Sequence, residues 1–260
     1  SSTAPLPGPP PSPCWTASTK SPDLPLVTAD AVVLQAFPYG ETSKILRLLT
    51  RTHGVQSVIA KGALRPKSRF GGVLEPFTEG IASFYFRDSR ELQTLSAFEL
   101  VRAQQSLGRD LLRFGGASLI AELVIRTASE EPQPGLFEAV RDALHRVREA
   151  DPDVLQPVLL AQVWRIIALL GFEPALDACI ICDRPFVDDG DVSFDYGAGG
   201  SRCAACAQGA GGHRVPAPAR AALQSLVAGQ PVPLTRTEGH WKLLARYLDH
   251  HVLEGGSLRS

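Results

Sequence analysis

The stretch AVVLQAFPYGETSKILRLLTRTHGVQSVIAK, residues 31–61, decides the fold. It holds three runs rich in apolar and β-branched residues, at 31–37, 44–50 and 55–61, and turn-forming residues separate them. Two similar runs follow at 78–87 and 91–101. Five short strands in so small a segment predict a closed barrel, and they fit a five-stranded OB-fold better than a seven-stranded sandwich.

A different periodicity begins after the predicted barrel. Apolar residues recur at helical spacing between 111 and 124 and again between 137 and 147, where they share one helix face. A further helix is expected to start at Asp151-Pro152, because proline suits the first helical position, and to end at Gly171. Strands followed by helices predict an α+β fold.

The chain is predicted to consist of several parts. We expect a disordered tail at 1–25, where prolines and serines stand among few apolar residues. The other predicted parts are the barrel domain at 26–104, a helical domain at 105–178, a small cysteine-containing subdomain at 179–212, and C-terminal helices at 213–260 that pack on the helical domain.

Four cysteines form two C-x-x-C pairs, Cys179 with Cys182 and Cys203 with Cys206. This spacing is typical of a structural zinc site and predicts one Zn²⁺ per chain. Four thiolates occupy all four coordination positions of a tetrahedral zinc ion, so a catalytic zinc with an open position is not indicated. The alternative is two disulfides, but a chain of 260 residues has enough core not to need them, and nothing resembles a secretory signal.

Composition indicates an ordinary soluble globular protein, with 44% hydrophobic and 20% charged residues. No apolar run reaches the roughly eighteen residues that a membrane helix needs, so we expect a cytoplasmic protein without membrane contact. The sequence has no Walker A, H-E-x-x-H or G-x-S-x-G motif. We therefore predict no catalytic residues and no enzyme activity.

Charge is distributed unevenly, although the net charge is only −1. Residues 42–74 contain no acidic residue but seven basic ones, whereas residues 103–178 contain 11 acidic and 7 basic residues. This contrast predicts an anionic partner, nucleic acid, for the barrel alone. The candidate phosphate contacts are Lys44, Arg47, Arg51, Lys61, Arg65, Lys67 and Arg69, with the alternative that some of the arginines only solvate the barrel. The candidate stacking aromatics are Phe37, Tyr39 and Phe70, each of which could equally be a core residue.

Two other functions stay open on the residues alone. A metal-dependent nucleic-acid hydrolase would need a carboxylate cluster, and the sequence does not locate one. An RNA-binding or translation-linked OB-fold protein would use the same basic barrel, because contacts to the RNA 2′-hydroxyl cannot be recognised in a sequence.

Three motifs in this order resemble the RecO family of bacterial recombination mediators. They are V-V-L-x-x-x-x-Y-G-E-x-S-K-I at 32–45, K-G-A-x-x-x-K-S-R-F at 61–70, and the two C-x-x-C pairs with Gly-Gly before the second. The helical middle and the final helix fit as well. The resemblance covers about residues 28–253, which is the chain without its tail.

The resemblance implies an OB-fold DNA-binding domain and a structural zinc. It also implies binding of single- and double-stranded DNA, annealing of complementary strands, and a cytoplasmic, nucleoid-associated protein. Implied partners are RecR, in some species RecF, and the acidic tail of single-strand-binding protein, on whose DNA such mediators load RecA. Arg109, Arg113 and Arg126 are the candidate contacts for that tail.

Overall fold

The computed structural model describes residues 25–186, 190–209 and 211–252. The predicted disordered tail at 1–25 lies outside these ranges except for Pro25. The strands are β1 (Leu26–Tyr39), β2 (Ser43–Thr50), β3 (Gly54–Ala60), β4 (Glu79–Tyr85), β5 (Gln93–Arg102), β6 (Val192–Asp195), β7 (Gly200–Arg202) and β8 (His213–Val215). The α-helices are α1 (Leu111–Thr127), α2 (Pro134–Glu149), α3 (Leu155–Leu169), α4 (Ala217–Val227) and α5 (Thr237–His251).

The first five strands close into a barrel in the order β1-β2-β3-β5-β4. This confirms the predicted five-stranded OB-like barrel and the α+β class. β1 is much longer than the sequence predicts, because it pairs with β2 at one end and β4 at the other. Its register with β2 is irregular between Val33 and Gln35, as at a β-bulge.

The barrel interior is filled partly by the long connection between β3 and β4. Phe70 and Leu74 of this connection, residues 61–78, are almost fully buried against the inward residues of the strands. Phe70 is only 3% exposed, so of the two roles that the sequence leaves open for it, stacking ring and core residue, it takes the core position. Sequence alone could not place it, because an aromatic residue in a loop carries no periodicity.

The helices surround α3, whose side chains are buried on most of its surface. The chain enters α3 through a short 3-10 helix over Pro152–Val154, so the α-helix starts three residues after the predicted position. The predicted end at Gly171 is confirmed. Gly171 has φ +90°, and the N–H groups of Gly171 and Phe172 bond back to Ala168 and Ile167 in a Schellman motif.

One side of the barrel is packed against the helices. Val32 and Leu49, paired across β1 and β2, point outward into the core that α1 and α2 share. The β2–β3 turn also meets the α1–α2 connection, where Val55 N–H donates to the Ser129 carbonyl at 3.2 Å. A Cβ on Gly54 would lie 2.5 Å from the Glu130 carbonyl carbon, so this close approach requires glycine.

The cysteine-containing segment forms a three-stranded sheet in the order β7-β6-β8. Phe194 of β6 is fully buried and its ring packs 6.0 Å from that of Tyr247 in α5, which in turn packs against Trp164 of α3. The small sheet is therefore joined to the helical core through aromatic contacts. Within the described ranges, no helix is both long enough and apolar enough to cross a membrane.

Candidate metal centre and nucleic-acid interface

The four cysteine sulfurs converge on one point. Their Sγ atoms all lie within 4.8 Å of one another, and those of Cys182 and Cys203 are 3.9 Å apart. A tetrahedral zinc with bonds of about 2.3 Å places its sulfurs about 3.8 Å apart. The donor type, number and spacing therefore fit a tetrahedral zinc ion held by Cys179, Cys182, Cys203 and Cys206.

Two tight turns hold the sulfurs in these positions. In the first, the N–H of Asp183 donates to the Cys179 carbonyl, and Asp183 takes a left-handed conformation with φ +54°. In the second, the N–H of Ala207 donates to the Cys203 carbonyl. The N–H of Cys203 also donates to the Cys179 sulfur at 3.4 Å and so links the two turns.

The thiols differ in their affinity for protons. Burial raises the pKa of Cys179, but hydrogen bonds from the main chain of Cys203, Ile181 and Cys182 outweigh it and lower that pKa to about 6. Hydrogen bonds from Cys206 lower the pKa of Cys203, and hydrogen bonding to Cys203 raises the pKa of Cys206 to about 12. A bound metal must displace the remaining protons, so acid weakens its binding.

Four of the seven candidate phosphate contacts lie on the β3–β4 connection and are exposed. They are Lys61, Arg65, Lys67 and Arg69. Phe70 and Leu74 bury the other side of the same segment in the barrel, which fixes the path of the chain. Arg69 is held further, because its guanidinium donates to the Leu95 carbonyl at 3.2 Å and lies over the Phe70 ring.

The other three candidates make contacts within the protein. Lys44 is 15% exposed and pairs with Glu75 at 2.8 Å. Arg47 donates to the Ser57 hydroxyl at 2.8 Å on the outer face of β2 and β3. Arg51 pairs with Asp30 of the barrel and with Glu138 of α2, which places it at the junction with the helices. The structure therefore does not bring all seven side chains to one surface.

The outer face of the barrel remains open at the end away from the helices. Phe37, Ile45 and Ile59 are direct neighbours across β1, β2 and β3 and point outward. Phe37 is 40% and Tyr39 54% exposed, so both rings are accessible. We call Phe37, Tyr39, Ile45 and Ile59 the open face. Sequence reasoning missed the two isoleucines, although two-residue alternation with the buried Leu46 and Val58 was available as a signal.

The three candidate arginines for a partner are spread along the helical domain. Arg113 donates to the carbonyls of Val147, Arg148 and Ala150, and so caps the end of α2. Arg126 is exposed and pairs with Glu122 one turn earlier. Thirteen residues of α1 separate these two arginines, which corresponds to about 20 Å. Arg109 is exposed just before α1.

Two family models match most of the chain. The model described as "Recombination protein O N terminal" matches residues 24–104, which include the barrel. The model described as "Recombination protein O C terminal" matches residues 108–259, which include the helices and the cysteine cluster.

Curated relatives are similar over most of their length. A protein of Bacillus subtilis named DNA repair protein RecO is 35% identical over 183 residues, which are 70% of this chain and 69% of the relative. A protein with the same name from Anaeromyxobacter sp. strain K is 38% identical over 70% of this chain and 71% of the relative. Another protein of that name, from Anaeromyxobacter dehalogenans strain 2CP-C, is 34% identical over 87% of this chain and 91% of the relative.

Proposed function

Because this chain belongs to the RecO family of DNA repair proteins, we propose that it works as a recombination mediator. In this role it binds single- and double-stranded DNA, anneals complementary strands and, with RecR, helps to load RecA on DNA coated by single-strand-binding protein. RecF is a further partner in this proposal. The observation that carries it is the open face of the barrel with the exposed basic connection beside it.

The proposed DNA path combines two kinds of contact. Lys61, Arg65, Lys67 and Arg69 supply positive charge along residues 61–69, where they can follow a phosphate backbone. Phe37 and Tyr39 offer rings to unpaired bases, whose faces stack on aromatic side chains whatever their sequence. An OB-fold that binds single strands uses this combination of a positive groove and aromatic rings.

The names of the relatives support DNA rather than RNA as the ligand in this proposal. Those compared above carry the name DNA repair protein, and the barrel by itself is compatible with either nucleic acid. We therefore place DNA first and treat RNA binding as the competing outcome of the test below.

Strand annealing tests the proposed function directly. Two complementary oligonucleotides, one with a donor dye and one with a quencher, are mixed with the protein and without ATP. We expect the protein to accelerate annealing, because one basic surface that binds both strands raises their local concentration. Each strand coated with single-strand-binding protein should also anneal faster when this chain is added.

Two controls define the result. The same assay with RNA strands separates a DNA mediator from an RNA-binding protein. Product strands are analysed for length, because shortening would indicate a nuclease instead. The proposal would be contradicted if the protein accelerated annealing of RNA strands but not of DNA strands, or if it gave no acceleration with DNA at low salt.

We also propose that the tail of single-strand-binding protein docks on the helical domain near Arg109 or Arg126. Both side chains are exposed, and a cation can pair with an acidic tail. Arg113 is not part of this proposal, because its guanidinium is bonded to three carbonyls of α2. Exposed Leu111, Leu112 and Phe114 lie between the two arginines in sequence and could contact an apolar side chain of the tail.

Fluorescence anisotropy with a labelled tail peptide measures this docking. We expect Arg109→Glu or Arg126→Glu to weaken binding about tenfold, because the change replaces attraction by repulsion. Arg141→Glu, on the exposed face of α2, is the matched control and should leave the affinity unchanged. Unchanged binding in both test variants would remove the two arginines from the docking site.

A further inference from the structure

We propose that the cleft between the β1–β2 turn and the start of the β3–β4 connection is a subsite for one unpaired nucleotide, with a preference for guanine. Residues 39–43 line one side of this cleft, and Ile59, Lys61, Gly62 and Arg65 line the other. Its volume of about 430 Å³ is within the range of sites that hold one small ligand. The inference rests on the proposed function and gives that DNA path a point of base selection.

The walls of the cleft are held together before any ligand arrives. The N–H of Leu64 donates to the Thr42 carbonyl at 2.9 Å, which ties the basic connection to the β1–β2 turn. The N–H of Arg65 donates to the Gly62 carbonyl at 3.2 Å and forms a turn there. Tyr39 and Ser43 pair across the end of β1 and β2. A site formed in advance loses little entropy on binding.

Three side chains of the cleft match two parts of a nucleotide, the base and the phosphate. The Tyr39 ring is 54% exposed and can stack on a base. The exposed ammonium of Lys61 and guanidinium of Arg65 can contact the phosphate. The remaining charged group, Glu41, is exposed at the same cleft and cannot contact a phosphate favourably.

The Glu41 carboxylate requires a different partner. Its side chain makes no hydrogen bond and no ion pair with any residue in the described ranges. Placed beside a phosphate backbone, a carboxylate repels the ligand unless it accepts hydrogen bonds from the base. Guanine has two adjacent donors on its Watson–Crick edge, N1–H and the 2-amino group, which match the two carboxylate oxygens. Adenine, cytosine and thymine each offer one donor on that edge.

The test uses four nonamers of thymidine whose central residue is thymine, adenine, cytosine or guanine. Affinities for the full chain are measured by fluorescence anisotropy at low salt. We expect the guanine oligonucleotide to bind about fivefold more tightly, at the low end of what a two-bonded base contact provides. Hypoxanthine in the same position lacks the 2-amino group and should lose most of this advantage.

Glu41→Gln should bind the guanine and thymine oligonucleotides equally, because an amide cannot accept both hydrogen bonds. The matched control is Glu99→Gln, an exposed carboxylate of β5 outside the cleft, which should retain the preference. Equal affinity for all four oligonucleotides in the unchanged protein, or a preference that persists in Glu41→Gln, would overturn the inference and leave the proposed DNA path intact. No binding of any oligonucleotide would instead refute the proposed function itself.

Discussion

Cys203→Ser is expected to abolish zinc binding and to lower the melting temperature of the protein by roughly 10 °C. A metal held by the four cysteines would fix the turns on either side of β6 in sequence, and β6 carries Phe194 into contact with Tyr247 at the helical core. Losing the packing of a buried phenylalanine lowers the free energy of unfolding by about 3 kcal/mol or more. In a chain of this size, each kcal/mol shifts the melting temperature by about 2–4 °C. Metal analysis and circular dichroism melting measure the two effects.

The cysteine variant has a matched control and a separate readout. Cys14→Ser removes the fifth cysteine, which lies outside the described residues, and should retain one zinc per chain. Binding of single-stranded DNA should survive in part in Cys203→Ser, because the barrel interior around Phe70 and Phe84 is a different cluster from the helical core. Two disulfides and no zinc in the purified protein, or an unchanged melting temperature after zinc loss, would contradict this account.

The triple variant Lys61→Glu, Lys67→Glu and Arg69→Glu is expected to weaken single-strand binding by about a hundredfold or more. Each reversal replaces a proposed phosphate contact by repulsion, and phosphate contacts supply most of the affinity of a nonspecific binder. The slope of log affinity against log salt should also become shallower by about 2, since each lost contact removes about 0.7. Salt titrations followed by fluorescence anisotropy give both values.

A control of equal charge change distinguishes local contacts from the overall field. Arg184→Glu, Arg236→Glu and Lys242→Glu alter three exposed cations outside the barrel. This variant should keep the salt slope of the unchanged protein and most of its affinity. If both triple variants lose affinity equally, the β3–β4 connection is not the DNA path and the affinity depends only on the net charge of the protein.

Sequence could predict the elements whose patterns are local. Alternating apolar residues in 31–61 predicted the barrel, and the two C-x-x-C pairs predicted four converging sulfurs. In both cases the side chains that act together are fixed by short spacing along the chain. The end of α3 at Gly171 was predictable for the same reason.

Sequence could not predict what each cation contacts. An acid-free run shows that positive charge accumulates, but Arg51 lies within it and pairs with Glu138, 87 residues later. Arg113 likewise caps a helix that starts twenty-one residues further along the chain. Such partners are set by tertiary packing, which no local spacing records. The same applies to the cleft around Glu41, because its two walls come from separate turns.

The close approach at Gly54 has a consequence for how DNA would pass to other proteins in the proposed function. The β2–β3 turn lies against Glu130, and Arg51 pairs with one residue on each side of the junction, so we expect the barrel and the helices to move as one body. Spin labels on β3 and α2 should accordingly give one narrow distance distribution, with and without DNA. In the proposed function, a strand on the open face would then keep one orientation relative to any protein bound to the helices. Transfer of the strand would then require that it dissociate from the open face, so the dissociation rate of DNA would set the rate of exchange.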